Sequence, residues 1–416
     1  MDILKPTTTE HVLDAVKWAV SSTTPLNVQG LNSKAAMGQA TNIGHSLDLS
    51  GLTGIDLYDP DELVLEGKAG TSLADIQEAL AKANQMLAFE PPDLSALLAG
   101  SEWNADAPMA GSLGGLVACN LAGPRRIKAG AARDHLLGFE AVSGRGENFK
   151  SGGRVMKNVT GFDLSKLMAG SFGTLGVMTT ITMKVLPSPD KVRTVIIIGL
   201  DTAAAVKAMS VAMNSPHEVT AAAHYTVDQT ATSGVDRVEG LGRSATFIRV
   251  EGPAPSVEAR AAGLTDMLKS LGPIDELHTE RSTRLWREVR DVVPFTGAAH
   301  KADQVWRLSV PPAEGASVAA RLKSSVGGES LLDWGGGLIW HRMVARDDAG
   351  HADVRSALGR SGGHAMLMKA SSQARAAVPV FHPEDPGLVA ISRRIKDGFD
   401  PEGILNPGRM MRVEQV

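Results

Sequence analysis

The sequence predicts an α+β protein in two parts: an amino-terminal domain rich in ligand-binding loops, then a domain built on an antiparallel sheet. Three observations predict it. At 416 residues the chain exceeds the usual size of one compact core. Its first 187 residues mix short strands and helices densely around three glycine-rich loops. From Val192 to about Lys369, apolar strands alternate with helices, the pattern of an antiparallel sheet with helices on one face.

In chain order, residues 8–22 read as a helix with Thr8 or Thr9 as N-cap and Val12, Ala15, Val16, Ala19 and Val20 at helical spacing. Pro25 stops it, and LNVQG is a short strand entering the turn-rich segment Gly30 to Gly38. LDLS at 47–50 and ELVLEGKAG at 62–70 are strand-like. Ser72 and Asp75 then cap a helix reaching about Asn84. FEPPD at 89–93 breaks regular structure, and Gly111, Gly114 and Gly115 open another helix. HLLGFEAVSGRGENFKSGG reads as a hairpin turning at Gly144-Arg145-Gly146. Val177 to Val185 shows period-two alternation ending at Pro187, expected of a ligand-facing strand. Beyond it, VRTVIII, ATFIRV, QVWRLSV and HAMLM are strands, with helices near 202–213, 256–271 and 315–325. A helix near 387–397 and the turn FDPEGILNPGRM close the chain. No internal repeat is visible.

Composition excludes several classes. With 43% hydrophobic and 21% charged residues, this is an ordinary globular composition. A net charge of -4 without a lysine-arginine cluster leaves no footprint for nucleic acid. The longest apolar runs fall far below the roughly 20 residues that span a bilayer. The first residues do not resemble a signal peptide, and one cysteine, Cys119, excludes an internal disulfide, so a cytoplasmic setting is expected. In LVACNLAG that cysteine reads more readily as a buried small residue than as a reactive thiol. The sequon Asn158-Val159-Thr160 carries no meaning in that compartment.

The glycine loops carry the chemistry. Gly170, Gly173 and Gly176 recur at a three-residue period before a strand, with Ser171 and Thr174 between them and no Lys or Arg. Such a loop is either a tight connection or a cradle whose N–H dipoles hold a bulky ligand. The first loop, Gln29, Gly30, Asn32, Ser33 and Lys34, suits a diphosphate with Lys34 as point charge, or an Asx-type turn. The second, Gly111-Ser112-Leu113-Gly114-Gly115, precedes a helix N-terminus. The only G-x-G-x-x-A match, Gly240 to Ala245, precedes a strand and is discarded as a dinucleotide fingerprint; no P-loop motif occurs.

Lys157-Asn158-Val159-Thr160-Gly161-Phe162-Asp163-Leu164 and Gly170-Ser171-Phe172-Gly173-Thr174-Leu175-Gly176-Val177 resemble the second flavin-contacting segment of the vanillyl-alcohol oxidase, or PCMH-type, FAD-binding family. The first loop, Gly111 to Gly115, and FDPEGILNPGRM with Asn406 are similar to other segments of that family, in the same order. NLAGPRR at 120–126, VWRLSVP at 305–311 and LLDWGGGLIW at 331–340 extend the resemblance over nearly the whole chain, to the smaller FAD-binding subunits of bacterial glycolate oxidase. It implies a two-lobed FAD-binding domain at 1–189, an α+β cap at 190–385 and a return to the FAD domain at 386–416. It implies non-covalent FAD, since no His or Cys lies between Val28 and Gly38, with Pro92, Arg133 and Asp134 joining the loop residues around it. It also implies a larger FAD-binding subunit and an iron-sulfur subunit as partners, with any membrane contact made through them.

For oxidation of a small 2-hydroxy acid, the cap offers Arg307 to hold the carboxylate and His364 or His341 to take the hydroxyl proton. Arg307 also reads as a cap salt bridge, and His364 as a satisfied core histidine. Related flavoproteins acting alone carry a metal-binding histidine pair seven residues apart and a late Glu-His dipeptide. Here Ser371 stands seven after His364, and the one Glu-His is Glu10-His11, so no metal site is expected.

Overall fold

The computed structural model describes residues 2–154 and 161–411. The amino-terminal part has two lobes. In the smaller, Asp2–Leu4, His45–Asp48 and Leu26–Gln29 form a parallel sheet in that spatial order, covered by helix Thr9–Ser21, whose N-cap Thr8 accepts from the His11 amide. In the larger, Ile55–Asp59, Val64–Lys68, Val177–Lys184, Leu136–Val142 and Asn148–Gly152 form an antiparallel sheet. Both lobes share one apolar core, in which Val16, Leu47, Leu65, Phe89, Leu113 and Ile181 are buried. Leu405 closes it by bridging to Leu26, which brings the carboxyl-terminal turn back onto the first lobe.

The following domain is an eight-stranded antiparallel sheet: Ile274–Leu277, Lys191–Ile198, Ala245–Gly252, Ala221–Tyr225, Glu329–Asp333, Leu338–Met343, Gln304–Ser309 and His364–Lys369. The sheet is two β-α-β-β-α-β units joined edge to edge through the single register pair His224 and Leu332. This repeat is one of topology. The sequence shows no visible repeat, so the two halves are related here through their strand order.

Helices Thr202–Met213, Ala254–Leu268 and Gly315–Ser325 cover one face of the sheet, as the apolar spacing predicts. The expectation of helices on one face is corrected by Thr279–Asp291, which lies on the other. Its Leu285, Trp286 and Val289 pack with Ile196, Tyr225 and Phe247, and with Met37, Leu94 and Leu97 of the amino-terminal domain. Each such side chain, once buried, stabilises the junction by about 1.5–3 kcal/mol.

A buried quartet of charges reinforces that junction. Glu90 receives both terminal nitrogens of Arg249 at 2.8 and 2.9 Å, and Glu251 receives Arg125 Nε and Nη2 at 3.0 and 2.7 Å. The Arg249 guanidinium lies 4.7 Å from the centroid of Trp286. Each partner of each pair comes from a different domain, so the two domains are held in one relative orientation.

Three further readings are corrected. LDLS is strand only to Asp48, whose Oδ1 accepts from the Ser50 amide and turns Leu49–Gly51 into a short 3-10 helix. Val177–Lys184 does not present one face to a ligand: it is the middle strand of five and buried on both faces through Met183. Its polar residues are satisfied inside the protein, Thr182 Oγ1 donating to Glu66 at 2.8 Å and Thr180 Oγ1 accepting from Lys68 at 3.0 Å. Strands Ile55–Asp59, Ala221–Tyr225, Ile274–Leu277, Glu329–Asp333 and Leu338–Met343 carry no clear alternation and were not anticipated.

Candidate functional site

A cleft opens where the first glycine loop meets the helix Leu113–Cys119 and the carboxyl-terminal turn. Gln29, Gly30, Asn32, Ser33, Lys34, Ser112, Gly115 and Asn406 line it, together with Met37, Cys119, Phe172 and Arg409. Close backbone approach makes the cleft possible. A Cβ on Gly30 would stand 2.3 Å from Ser112 Oγ, and one on Gly111 2.8 Å from Ser33 Oγ and 2.9 Å from Lys34 Nζ. Ser112 is held by capping its helix, its Oγ accepting from the Gly115 amide.

The donors in this cleft fit a diphosphate. The amides of Gly30 to Lys34 make no hydrogen bond to the described residues, and Asn32 turns the loop with φ +62°. Among the described residues the Lys34 ammonium hydrogen-bonds only to Ser33 Oγ, at 3.4 Å, and the Arg409 guanidinium donates only to the carbonyls of Ala35 and Met37. Neither cation has a carboxylate partner among the described residues. A loop of free N–H groups with two uncompensated cations is an anion cradle. Burial holds the Arg409 guanidinium below its usual pKa, the direction expected of a cation with no anion beside it.

The Gly170–Gly176 loop contributes differently from the expected ring of N–H dipoles. The amides of Gly170, Ser171, Phe172 and Thr174 donate to the carbonyls of Val117, Met168, Ala118 and Ser171. Those donors are therefore spent within the protein. What the loop gives the cleft is the Phe172 side chain, and next to it Ser171 Oγ is buried without a partner. Gly173 is needed because a Cβ there would stand 2.9 Å from Asn406 Nδ2, and Gly176 is packed against Met168 and Val142.

Several predicted residues lie outside this lining. The Gly114 amide donates to Ala69, while Leu113, Pro92 and Val177 are buried. Thr174 Oγ1 donates to the Ser171 carbonyl at 2.7 Å. Asp134 accepts from Ala131 and Lys166, and the Arg133 amide donates to Asn120. Asp163 caps the short helix that begins at Leu164, with Gly161 exposed before it. Lys157 and Asn158, with the sequon, fall outside the described residues. Arg409, Met37, Cys119 and Phe172 were missed as site residues; for Arg409 the one signal was its place after Asn406-Pro407-Gly408. Cys119 is half-exposed to the cleft, and burial pushes its thiol pKa up, away from a reactive thiolate.

The cap candidates separate clearly. Arg307 forms no ion pair or hydrogen bond with the described residues, which removes the salt-bridge reading; its guanidinium lies 5.1 Å from the Trp334 centroid and 5.9 Å from that of Trp340. Through its pairing with Trp340 and Met366 it lies on the sheet face turned to the cofactor domain. Burial, then the nearby Arg126, lowers its pKa to about 10. His364 is exposed on the edge strand, which removes the core-histidine reading, and lies on the same face two residues from Met366. Partial desolvation, then the charges of Arg307, His382 and Arg126, pushes its pKa down, so the ring is neutral and able to accept a proton at neutral pH. His341 is excluded: it lies on the opposite face, fully buried, with Nδ1 against Ser330 Oγ and Nε2 against the Gly327 carbonyl.

A two-lobed α+β domain with an anion cradle at its first strand-end loop, topped by an antiparallel cap that turns a free guanidinium towards it, defines an FAD-dependent oxidoreductase. The chain belongs to the FAD-linked oxidase family. Residues 3–152 match the FAD binding domain model, and residues 382–410 match the carboxyl-terminal domain of FAD linked oxidases. The chain is 35% identical over 402 residues to the glycolate oxidase subunit GlcE of Escherichia coli, covering 96% of this chain and 97% of that protein. It is 25% identical to a D-lactate dehydrogenase of Archaeoglobus fulgidus, covering 99% and 91%. The fold matches p-cresol methylhydroxylase with a TM-score of 0.70 at 16% identity, covering 99% and 88%.

Proposed function

We propose that this chain is the smaller FAD-binding subunit of a glycolate-oxidising complex, carrying electrons between a larger FAD-binding subunit and an iron-sulfur subunit. The observation that carries this reading is the end-to-end similarity to GlcE, a protein named as a glycolate oxidase subunit. FAD, when bound, supplies an acceptor that takes two electrons and can release them one at a time. The chain's own residues hold it: the Gly30–Lys34 amides, Lys34 and Arg409 at the diphosphate, Ser112 and Asn406 fixing the loops around it. Attachment is non-covalent, and primary oxidation of glycolate to glyoxylate belongs to the larger partner, because Ser371, and no histidine, stands seven residues after His364 and the one Glu-His dipeptide, Glu10-His11, lies in the first helix instead of late in the chain. No helix among the described residues is long and apolar enough to cross a membrane. We place the complex in the cytoplasm, reaching the inner membrane only through its partners.

A second reading, a self-sufficient 2-hydroxy acid dehydrogenase, is favoured by the unpaired Arg307 and the neutral His364 on the cofactor-facing side of the cap. Arg307 would hold the carboxylate and His364 would take the hydroxyl proton. Two measurements separate the readings. Purified chain that stays colourless after incubation with FAD defeats both, leaving a structural subunit. Anaerobic glycolate should leave the isolated yellow chain oxidised; bleaching at a catalytically competent rate selects the second reading.

A further inference from the structure

We infer that the segment from Asp93 to Gly111 is a strap through which the second domain positions the FAD diphosphate loop, with Asp93 and Asp291 as its positioning residues. The inference rests on the placement of the diphosphate beside Lys34 proposed above, and it holds under either redox reading.

Asp291 ends the helix Thr279–Asp291 of the second domain and is buried. Its Oδ1 accepts from the Asp93 amide at 2.9 Å and its Oδ2 from Trp103 Nε1 at 3.1 Å, both donors belonging to the amino-terminal domain. Arg290 grips the same carboxylate through Nε and Nη2, each at 2.8 Å, so the charge is paired where it stands. One carboxylate of the second domain therefore holds two points of the strap.

Between those two points the strap leans on the same domain. The Gly297 amide donates to the Ser101 carbonyl at 2.9 Å, and the Ala298 amide to Glu102 at 3.1 Å. A Cβ on Gly100 would stand 2.7 Å from Lys301 Cα. Residues 100–110 contain no helix or strand, so contacts with the second domain set their course where a ladder of their own does not.

The far end of the strap meets the cofactor cleft. Asp93 Oδ1 accepts from the Ser95 amide at 3.0 Å, and its Oδ2 from the Ala110 amide at 2.8 Å. Ala110 precedes Gly111, which turns with φ +105° and lies so close to the first loop that a Cβ would stand 2.8 Å from Ser33 Oγ and 2.9 Å from Lys34 Nζ. Past this point the chain is bonded to its own domain, the Gly111 carbonyl accepting from the Leu73 amide and the Leu113 amide donating to Thr71, each at 2.9 Å. Asp93 is thus the joint of the strap: its amide follows the end of the second-domain helix, and its carboxylate fixes the residue before the cradle.

The test is phosphorus NMR of the FAD-loaded protein, with FAD affinity and thermal midpoint measured alongside, for the wild type, Lys34→Met, Asp93→Ala, Trp103→Phe and Val257→Ala. Asp93→Ala strands the Ala110 amide; it is expected to weaken FAD binding at least about fivefold and to shift the diphosphate resonance that Lys34→Met shifts. Trp103→Phe removes one hydrogen bond from Asp291 and should shift the same resonance by less; it decides the matter should Asp93→Ala fail to fold. Val257→Ala, a core change in the helix on the far face of the sheet, should lower the midpoint and leave the phosphorus spectrum unmoved. Asp93→Ala and Trp103→Phe proteins with lowered midpoints and wild-type phosphorus spectra overturn the inference and leave the strap a structural connection. A shift of equal size in Val257→Ala overturns it as well, since any loss of stability would then move the diphosphate. Lys34→Met with an unmoved spectrum defeats the placement of the diphosphate and the inference with it, whereas a shift in Lys34→Met with silent strap variants defeats the strap alone.

Discussion

Asn406 fastens the carboxyl-terminal turn to Val28: its Oδ1 accepts from the Val28 amide at 2.7 Å, and its Nδ2 donates to the Val28 carbonyl at 3.3 Å. The same Nδ2 donates to the Phe172 carbonyl at 2.8 Å. One amide thus joins three segments separated by hundreds of residues and sets the edge of the cleft. Asn406→Ala leaves the Val28 amide and the Phe172 carbonyl short of a partner, at about 1–3 kcal/mol for each buried group. The expected outcome is a clearly lower thermal midpoint together with weaker FAD retention on gel filtration. Asn406→Asp keeps the acceptor but sets a buried carboxylate oxygen against the Val28 and Phe172 carbonyls, so it should be at least as destabilising as the alanine variant.

Lys34 and Arg409 stand unpaired beside the free amides of the first loop. Lys34→Met is expected to weaken FAD binding by about 10- to 100-fold, since a charge-assisted hydrogen bond is worth about 1.5–3 kcal/mol. Fluorescence titration of apoprotein with FAD measures it. Wild-type affinity should fall with added salt, and the Lys34→Met protein should show the shallower dependence; equal slopes would place Lys34 away from the diphosphate.

Gly30 and Ser112 approach each other so closely that a methyl group at residue 30 would overlap the serine hydroxyl. Gly30→Ala should therefore abolish tight FAD binding by pushing the first loop away from the helix it faces. Adding Ser112→Ala removes the 2.3 Å clash, although the 3.2 Å contact with Ser112 Cβ remains and the helix cap is lost at about 1 kcal/mol. Partial recovery in the double variant, measured as a double-mutant cycle on FAD affinity, is the expected result.

How much of this was legible in the sequence depends on whether neighbours in space were neighbours in the chain. The helices at Thr9–Ser21 and Leu73–Lys82 announce themselves through local caps, and the first glycine loop through a strand end followed by small polar residues. Strand Ala221–Tyr225 does not: its three alanines have weak strand preference, and it is buried on both faces, so nothing alternates. The Gly170–Gly176 loop looked like an anion cradle because glycine spacing is visible, whereas the carbonyls of Val117 and Ala118 that consume its amides come from another segment. Asp93 was hidden for the same reason. Its partner Asp291 lies 198 positions away, and only the fold brings the two together.

The buried quartet at the junction gives a pH-dependent prediction. Burial alone would raise the pKa of Glu251, but Arg249 and Arg125 outweigh it and hold the group at about 2. A carboxylate depressed on folding contributes stability above its unfolded value of about 4.5 and loses it as pH falls towards 2. Glu251→Gln should cost up to about 3–5 kcal/mol at neutral pH by taking from Arg125 its closer carboxylate, at 2.7 Å, and leaving it only Glu90, at 3.4 Å. Its stability should also vary less than that of the wild type between pH 4.5 and 2, as read by denaturant unfolding at each pH. Arg125→Met combined with Glu251→Gln should be less destabilised than the sum of the two single changes.

Asp333 makes the opposite prediction. Burial, reinforced by the charge of Glu90, raises its pKa from 3.8 to about 8, so the folded protein keeps a proton that the unfolded chain releases. For an acid raised on folding, the contribution to stability is fully present below about pH 4 and is lost as pH rises through about 8. Asparagine has nothing to ionise and still offers an oxygen to the Trp334 amide. Asp333→Asn is therefore expected to change the thermal midpoint little at pH 4 and to raise it at pH 8. Thermal unfolding followed across that range checks the sign: a variant less stable than the wild type at pH 8 would mean that the carboxylate is ionised in the folded protein and serves as the counter-ion of Arg307.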